Sequence, residues 1–409
     1  MTMDTQQQAA GMKTAASLAL ITILGPSAID MYLAAMPRMT QDLNTDYATM
    51  QLTLTVFLLA MGAGQLVFGP VIDALGRRRP LMAGLLVFIL ASLWAAVSTS
   101  MDTMLSARFF QGLSAALVLV TAMSSVRDLA SGARATQLFA LLVTIQGAAP
   151  ILAPAVGGVI DMQFGWRAVM LALAIVGALA LANSSVNLPE TLIEEKRVPL
   201  KLDGVFRTYW HLLADPRFIV PALALSAVFF FLFGYVGGAS YVYQTGYGLR
   251  SDVFGFVFGG TGAAMMLGAM GSSRLARTRP AGLLALLGVA IMGSGAALAL
   301  LAALAGAGLY GIVPGLFIAM FGLGMAEPPL MSIAMASQER ALGATAALLG
   351  AGTHILGSLA TPLAGALAPV GAHAWLGFLL VAALAAMALA LVSVRRVVPK
   401  KTAVETAVE

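Results

Sequence analysis

The sequence predicts an all-α integral membrane protein of about twelve spanning helices, arranged as two six-helix halves, and three observations carry that prediction. Of the 409 residues, 60% are hydrophobic and 10% charged, against roughly 45–50% and 25% in a soluble domain. Water is therefore the wrong solvent for most of this surface. Apolar runs of about 20 to 25 residues, the length that crosses a bilayer, fill most of the chain and leave no room for a soluble domain. Of the 23 basic residues, all except Arg38, Arg108, Arg167 and Arg250 fall in connections on one side of those runs, as the positive-inside rule requires of a chain that crosses repeatedly.

Taken in order, a polar stretch at 1–12 precedes Lys13 and an apolar run to Met36. That run exceeds the roughly 7–15 residues of a signal-peptide core, so it reads as an uncleaved first span. Helices are expected near 13–36, 48–68, 80–99, 104–126, 136–160, 166–187, 219–245, 252–272, 281–303, 311–336, 343–368 and 373–394. The basic clusters lie at Arg77 to Arg79, Arg127 and Arg134, Lys196 to Arg217, Arg274 to Arg279, Arg340, and Arg395 to Lys401. They put both termini in the cytoplasm. The expected layout is a tail at 1–12, a bundle at 13–187, a charged cytoplasmic linker at 188–218, a second bundle at 219–394 and a tail at 395–409. A basic loop after the second span of each half is a weak internal repeat, and duplicated halves suit a rocking transporter. The 43 glycines read as surfaces for close helix approach.

Composition also excludes. With no cysteine and three histidines, there is no disulfide framework, no thiolate nucleophile and no constellation of the kind an enzyme needs. A phosphate-binding glycine loop that would let ATP drive transport is absent from the sequence. The net charge of +5 sits in loops and reports topology, not nucleic acid.

Four stretches carry more specific information. Gly69-Pro70-Val71-Ile72-Asp73-Ala74-Leu75-Gly76-Arg77-Arg78-Arg79 lies between the second and third spans, with Gly69 and Gly76 suited to a tight turn and Asp73 suited to an arginine or a helix N-terminus. Leu105 to Gly112 sets Arg108 inside the fourth span, where a charge calls for a partner. In the fifth span, Pro150, Pro154, Gly157 and Gly158 remove backbone bonds and side-chain bulk. The fourth stretch, Ile29 to Pro37, includes Asp30, Met31 and Tyr32, and Gln51 to Thr55 follows. Together these resemble the major facilitator superfamily, and more closely its drug–proton antiporter branch with the bicyclomycin-resistance and chloramphenicol/florfenicol exporters. Ala74, Ala153 and Ala34 depart from that pattern, which usually has a basic residue, a glycine and a proline there.

The resemblance implies a major facilitator fold, two pseudo-symmetric six-helix bundles around a central cavity lined by the first, fourth, seventh and tenth spans. It would bring Asp30, Arg108 and Glu327, the ionisable residues clearly inside spans, to one water-filled space. Asp30 then reads as a proton or substrate switch biased by Arg108, or as half of a static ion pair with it. Glu327, ahead of Pro328 and Pro329, reads as a second proton site or as a cap on backbone groups freed at a helix break. Met31, Tyr32, Gln111, Phe230, Phe233, Tyr235, Met331 and His354 are the candidate cavity wall. Gly69, Asp73, Gly76, Arg77 and Arg78 form the cytoplasmic gate motif, and Pro150, Pro154, Gly157 and Gly158 the antiporter motif. The implied activity is export of lipophilic, phenicol-type antibiotics by a monomer in a bacterial inner membrane, without a bound cofactor and driven by the proton gradient. Exporters of other metabolites, or a channel or receptor on the same scaffold, are the alternatives.

Overall fold

The computed structural model describes residues 3–130, 132–197, 202–338 and 342–397. Lys201, Arg340, Lys400 and Lys401 of the basic clusters, most of the tail at 395–409, and the side chains of 3–12, Arg134, Lys196 and Arg396 lie outside the described residues. Among the described residues, twelve helices are long and apolar enough to cross a membrane. They run Lys13–Asp42, Tyr47–Leu75, Arg78–Ala96, Met101–Leu129, Leu141–Phe164, Trp166–Asn187, Pro216–Gly246, Ser251–Leu275, Ala281–Leu304, Gly308–Ala336, Leu342–Val370 and Ala372–Arg395. They are called the first to twelfth spans below.

Two helical segments add to the expected layout. The backbone is already helical from Met3, continuous to Thr22, so the polar stretch extends the first helix. The linker expected at 188–218 holds a helix of its own, Leu202–Ala214.

The two halves repeat one packing scheme. The fourth span packs on the second and third and the third on the sixth, just as the tenth packs on the eighth and ninth and the ninth on the twelfth. The halves meet where the second span lies along the eleventh and the fifth along the eighth. One end of the bundle carries Arg77 to Arg79 and is called the basic end.

Proline shapes the joints. A proline cannot donate to the carbonyl four residues earlier, and a bilayer offers no water to replace the lost bond. Pro37 cannot donate to the Leu33 carbonyl, which instead accepts the Met36 amide in a 3-10 turn and, at 2.6 Å, the Ser240 hydroxyl of the seventh span. Pro70 frees the Leu66 carbonyl, and the Tyr209 hydroxyl of the linker helix donates to it at 2.9 Å. The seventh span has no proline at its far end but turns π-helical over Tyr241–Gly246. At that transition the Tyr47 hydroxyl of the second span enters the ladder, accepting from the Tyr241 amide at 3.2 Å and donating to the Gly237 carbonyl at 3.1 Å. Tyr47 and Tyr241 rings lie 4.8 Å apart, and Thr55 and Thr361 share a hydroxyl bond of 2.6 Å. These contacts seal the end opposite the basic one.

Glycine shapes the seam between the fifth and eighth spans. Side chains at Gly255, Gly259 and Gly262 would strike the carbonyls of Pro154, Ile151 and Pro150. One at Gly158 would strike Ser251 and one at Gly157 would strike Met31 of the first span. Backbones at this separation make Cα–H···O contacts, each worth about 0.5–1 kcal/mol. Gly69 differs: it sits inside the second span, with nothing near the place a side chain would take.

At the basic end, the third span has no side chain of its own capping its N-terminus. Glu190 reaches back from the linker and accepts from the amides of Arg77 at 2.8 Å and Arg78 at 3.2 Å, opposite the positive end of the helix dipole. Gly76, with φ of 86°, leaves room for it, since a side chain there would lie 2.6 Å from the Glu190 carboxylate. Partial burial pushes the Glu190 carboxyl up, but the amides of Arg77, Leu192, Arg78 and Thr191 outweigh it and hold it below its ordinary value.

Two outcomes follow. Gly157→Val should lower the thermal midpoint of the purified protein sharply, through overpacking that costs about 1–3 kcal/mol or more, whereas Gly69→Ala should leave it within about 0.5 kcal/mol of wild type. Because the Glu190 carboxyl is depressed in the folded chain, its cap is complete at neutral pH and is lost as pH falls through that depressed value. Hydrogen exchange at Arg77 and Arg78, corrected for intrinsic rate, should therefore speed up in acid in wild type. In Glu190→Gln it should be faster at neutral pH and insensitive to acid.

Candidate transport site

Arg108 is the most deeply buried charge in the bundle, with no exposed surface. Its guanidinium lies between two rings, 4.3 Å from the centroid of Tyr32 and 4.3 Å from that of Phe57. Edge-on, it donates to the Gln111 side-chain oxygen and, at 3.4 Å, to the Thr53 carbonyl. Gln111 in turn donates to Ser92 at 2.8 Å. Delocalised charge and flat faces suit arginine to this sandwich.

The expected pairing of Arg108 with Asp30 is not formed: neither residue belongs to any ion pair among the described residues. The cause is angular. Residues two apart on a helix diverge by about 200°, so Tyr32, which fills the place on Arg108, turns Asp30 away. Asp30 is 6% exposed, and no hydrogen bond to its carboxylate is described. It lies within electrostatic reach of Tyr32 and, in the other half, of Tyr235.

Glu327 also stands without a hydrogen bond or ion pair among the described residues, half-buried in the tenth span. The expected helix break is absent, because the helix runs unbroken from Gly308 to Ala336 through Pro328 and Pro329. Nor does Glu327 cap freed groups. Prolines orphan carbonyls, here those of Gly324 and Met325, and an ionised carboxylate has no proton to give them. Met331 follows one turn later and is 38% exposed.

The candidate wall divides. Tyr32, Gln111 and Tyr235 are fully buried, so they line no free cavity in this conformation. The first two hold Arg108, and Tyr235 bonds Thr261 at 3.0 Å while stacking on Phe258 at 5.1 Å. Met31 is buried, its carbonyl packed against Gly157. Phe230 packs on Phe378 at 5.7 Å and lines an apolar crevice of about 430 Å³ between the seventh, eleventh and twelfth spans. Phe233 packs on Phe229 and on His354. His354 Nδ1 lies 2.7 Å from the Gly350 carbonyl and 3.4 Å from Gln65 of the second span, which makes it a contact between the halves.

The gate motif is held within the first half. Arg77 bonds Asp73 at 2.6 Å and Asp128, at the end of the fourth span, at 2.9 Å, and Arg78 donates to the Ser185 carbonyl at 2.7 Å. All of these partners lie in the first half, and the Asp73 side chain is half exposed. Only Gly76 provides the predicted turn. Pro150, Pro154, Gly157 and Gly158 lie together in the seam.

Sequence reasoning missed the partners of these residues: Tyr47, Ser240 and Gln65 across the halves, and Glu190 in the linker. The eighth-span glycines were legible as a spacing of four and three, Gly255, Gly259 and Gly262. Asp161 was missed because the fifth span was expected to stop at 160. It is 2% exposed, and its carboxylate lies 3.6 Å from Arg38.

Comparison with known proteins places the chain. The family profile of the Major Facilitator Superfamily matches residues 18–346. An uncharacterized MFS-type transporter of Bacillus subtilis, YdgK, is 35% identical over 85% of this chain and 87% of that one. A bicyclomycin resistance protein homolog of Haemophilus influenzae is 30% identical over 59% of this chain and 61% of its own length. A chloramphenicol resistance protein of Pseudomonas aeruginosa is 43% identical over 27% of this chain and 26% of its own. The solved structure of a POT family transporter in complex with a thioalcohol-conjugated peptide has the same fold, with a TM-score of 0.73 at 14% identity over 92% of this chain and 94% of that one. Twelve spanning helices in two repeating halves and a match over most of the length agree: this chain is a multi-pass membrane transporter belonging to the Major Facilitator Superfamily.

Proposed function

We propose that the protein exports lipophilic antibiotics, phenicols first among them, in exchange for protons, by alternating access across a bacterial inner membrane with both termini in the cytoplasm. The observation that carries this reading is Asp30, a carboxylate 6% exposed in a spanning helix with no ion pair. An acid kept there without a counter-ion is costly, and one whose surroundings change as the halves rock can bind a proton on one side and release it on the other. Arg108, committed to Tyr32, Phe57 and Gln111, supplies a fixed positive field instead of a partner. Glu327 is a second site for the proton or for a polar group of the drug.

The conformation supports the same cycle. Tyr47, Ser240 and Thr55 close one end. From the middle toward the basic end, the described side-chain bond between spans of opposite halves is the lateral one of Gln65 with His354. Drug would enter from the basic end, the cytoplasmic one under the positive-inside rule. Proton uptake from the other side would then reset the halves. Similarity to chloramphenicol and bicyclomycin resistance proteins supports an apolar, antibiotic-sized guest. No bound cofactor and no second subunit enter the scheme.

In proteoliposomes with an imposed pH gradient, wild type should export chloramphenicol uphill. Asp30→Asn should abolish uphill export while the protein remains folded in the membrane, and full transport by that variant would sink the assignment. Glu327→Gln should retain transport with an altered pH profile. Expression in a drug-sensitive bacterium should raise resistance to chloramphenicol and florfenicol, with bicyclomycin and lipophilic cations as comparison. Resistance to none of these would favour a metabolite exporter, and drug flux that never exceeds equilibrium would indicate a channel.

A further inference from the structure

We infer that the linker helix Leu202–Ala214 is a membrane-interface anchor, seating Phe206, Trp210 and Leu213 among lipid acyl chains and presenting Arg207, together with Arg217 at the start of the seventh span, to anionic headgroups. The helix has two faces. Tyr209 and Leu212 are buried, at 8% and 3% exposure, whereas Phe206 is 68%, Trp210 72% and Leu213 42% exposed. Those three positions, four and then three apart, form one stripe; Arg207 is exposed at its margin, and Arg217, in the first turn of the seventh span that follows, is exposed too. Aromatic and aliphatic residues on one face with arginine at its margin are the composition of helices that lie in the bilayer interface.

Depth separates this reading from a helix hanging in water. Tyr209 donates to the carbonyl of Leu66 at 2.9 Å, and Leu66 lies nine residues before the end of the second span at Leu75. At about 1.5 Å per residue, the docking point is roughly 13 Å inside that end. The linker helix therefore lies against the flank of the second and eleventh spans, not below them. Val67 and Leu75 of the second span, the one next to Leu66 and the other at that span's end, are likewise 52% and 58% exposed. The occupant that fits is the lipid leaflet on the basic end. A phenylalanine and a tryptophan at this depth would otherwise lie bare, and the arginines match the negative surface potential of anionic lipid.

The test uses the full-length protein in lipid nanodiscs. Comparing wild type with Trp210→Phe isolates the emission of Trp210, a conservative change on an exposed side chain. That emission should be quenched by phosphatidylcholine brominated on its acyl chains and be protected from aqueous iodide. Quenching by iodide and not by brominated lipid would overturn the proposal, leaving a face open to water or to a soluble protein. The second arm exchanges phosphatidylcholine for mixtures with phosphatidylglycerol and counts retained lipid by native mass spectrometry. Arg207→Gln and Arg217→Gln should each weaken phosphatidylglycerol retention about five-fold. Retention unchanged by both would overturn the headgroup half. Neither readout depends on which drug the protein carries, so failure here is distinct from failure of the export reading.

Discussion

Everything in this bundle depends on the rule that a backbone polar group in hydrocarbon must find its partner within the protein. At three irregular places a group from far along the chain joins the backbone ladder. Ser240 adds a donor to the Leu33 carbonyl ahead of Pro37, Tyr209 fills the gap made by Pro70, and Tyr47 enters the seventh span where its ladder lengthens to a π turn. These irregular places are thus tied places. The joint between halves, the seat of the linker and the closed end all arise from locally broken helices.

Electrostatics inside the spans follow a similar economy. A buried guanidinium is tolerable because aromatic faces and amide oxygens meet it, and because its charge is delocalised. A direct salt bridge to Asp30 would hold both groups charged and fix the two spans together. By giving Arg108 to Tyr32 and Phe57, the fold leaves the acid without a locked partner. A carboxylate in that condition responds to whatever reaches it, whether proton, solvent or polar guest.

Span count, halves and the sixth helix, expected at 166–187 and found at Trp166–Asn187, were legible because apolar length and loop charge are local properties of the sequence. So was the turn at Gly76, which needs a positive φ. What could not be read was pairing. Nothing near Tyr47 announces that its hydroxyl will sit in a helix almost 200 residues later, and nothing near Glu190 shows that it caps the third span. Arg108 misled for the same reason. Its need for a partner was visible, but the choice between Asp30 and the neighbouring ring of Tyr32 depended on the rotation of the first helix. Asp161 was lost to a boundary four residues short, since hydropathy fades at a polar residue whether or not the helix does.

The seam between the fifth and eighth spans has a mechanical meaning. Where Gly255, Gly259 and Gly262 meet the carbonyls of the facing helix, no side chain from the glycine side interlocks. Two interdigitated helices must lift knobs out of holes in order to move, but a surface this smooth behaves as a plain bearing. It carries load through many weak contacts and resists shear very little. Under the proposed cycle the halves would turn about this edge without repacking it, and the energetic cost of opening would fall on the tyrosine and threonine latch at the closed end.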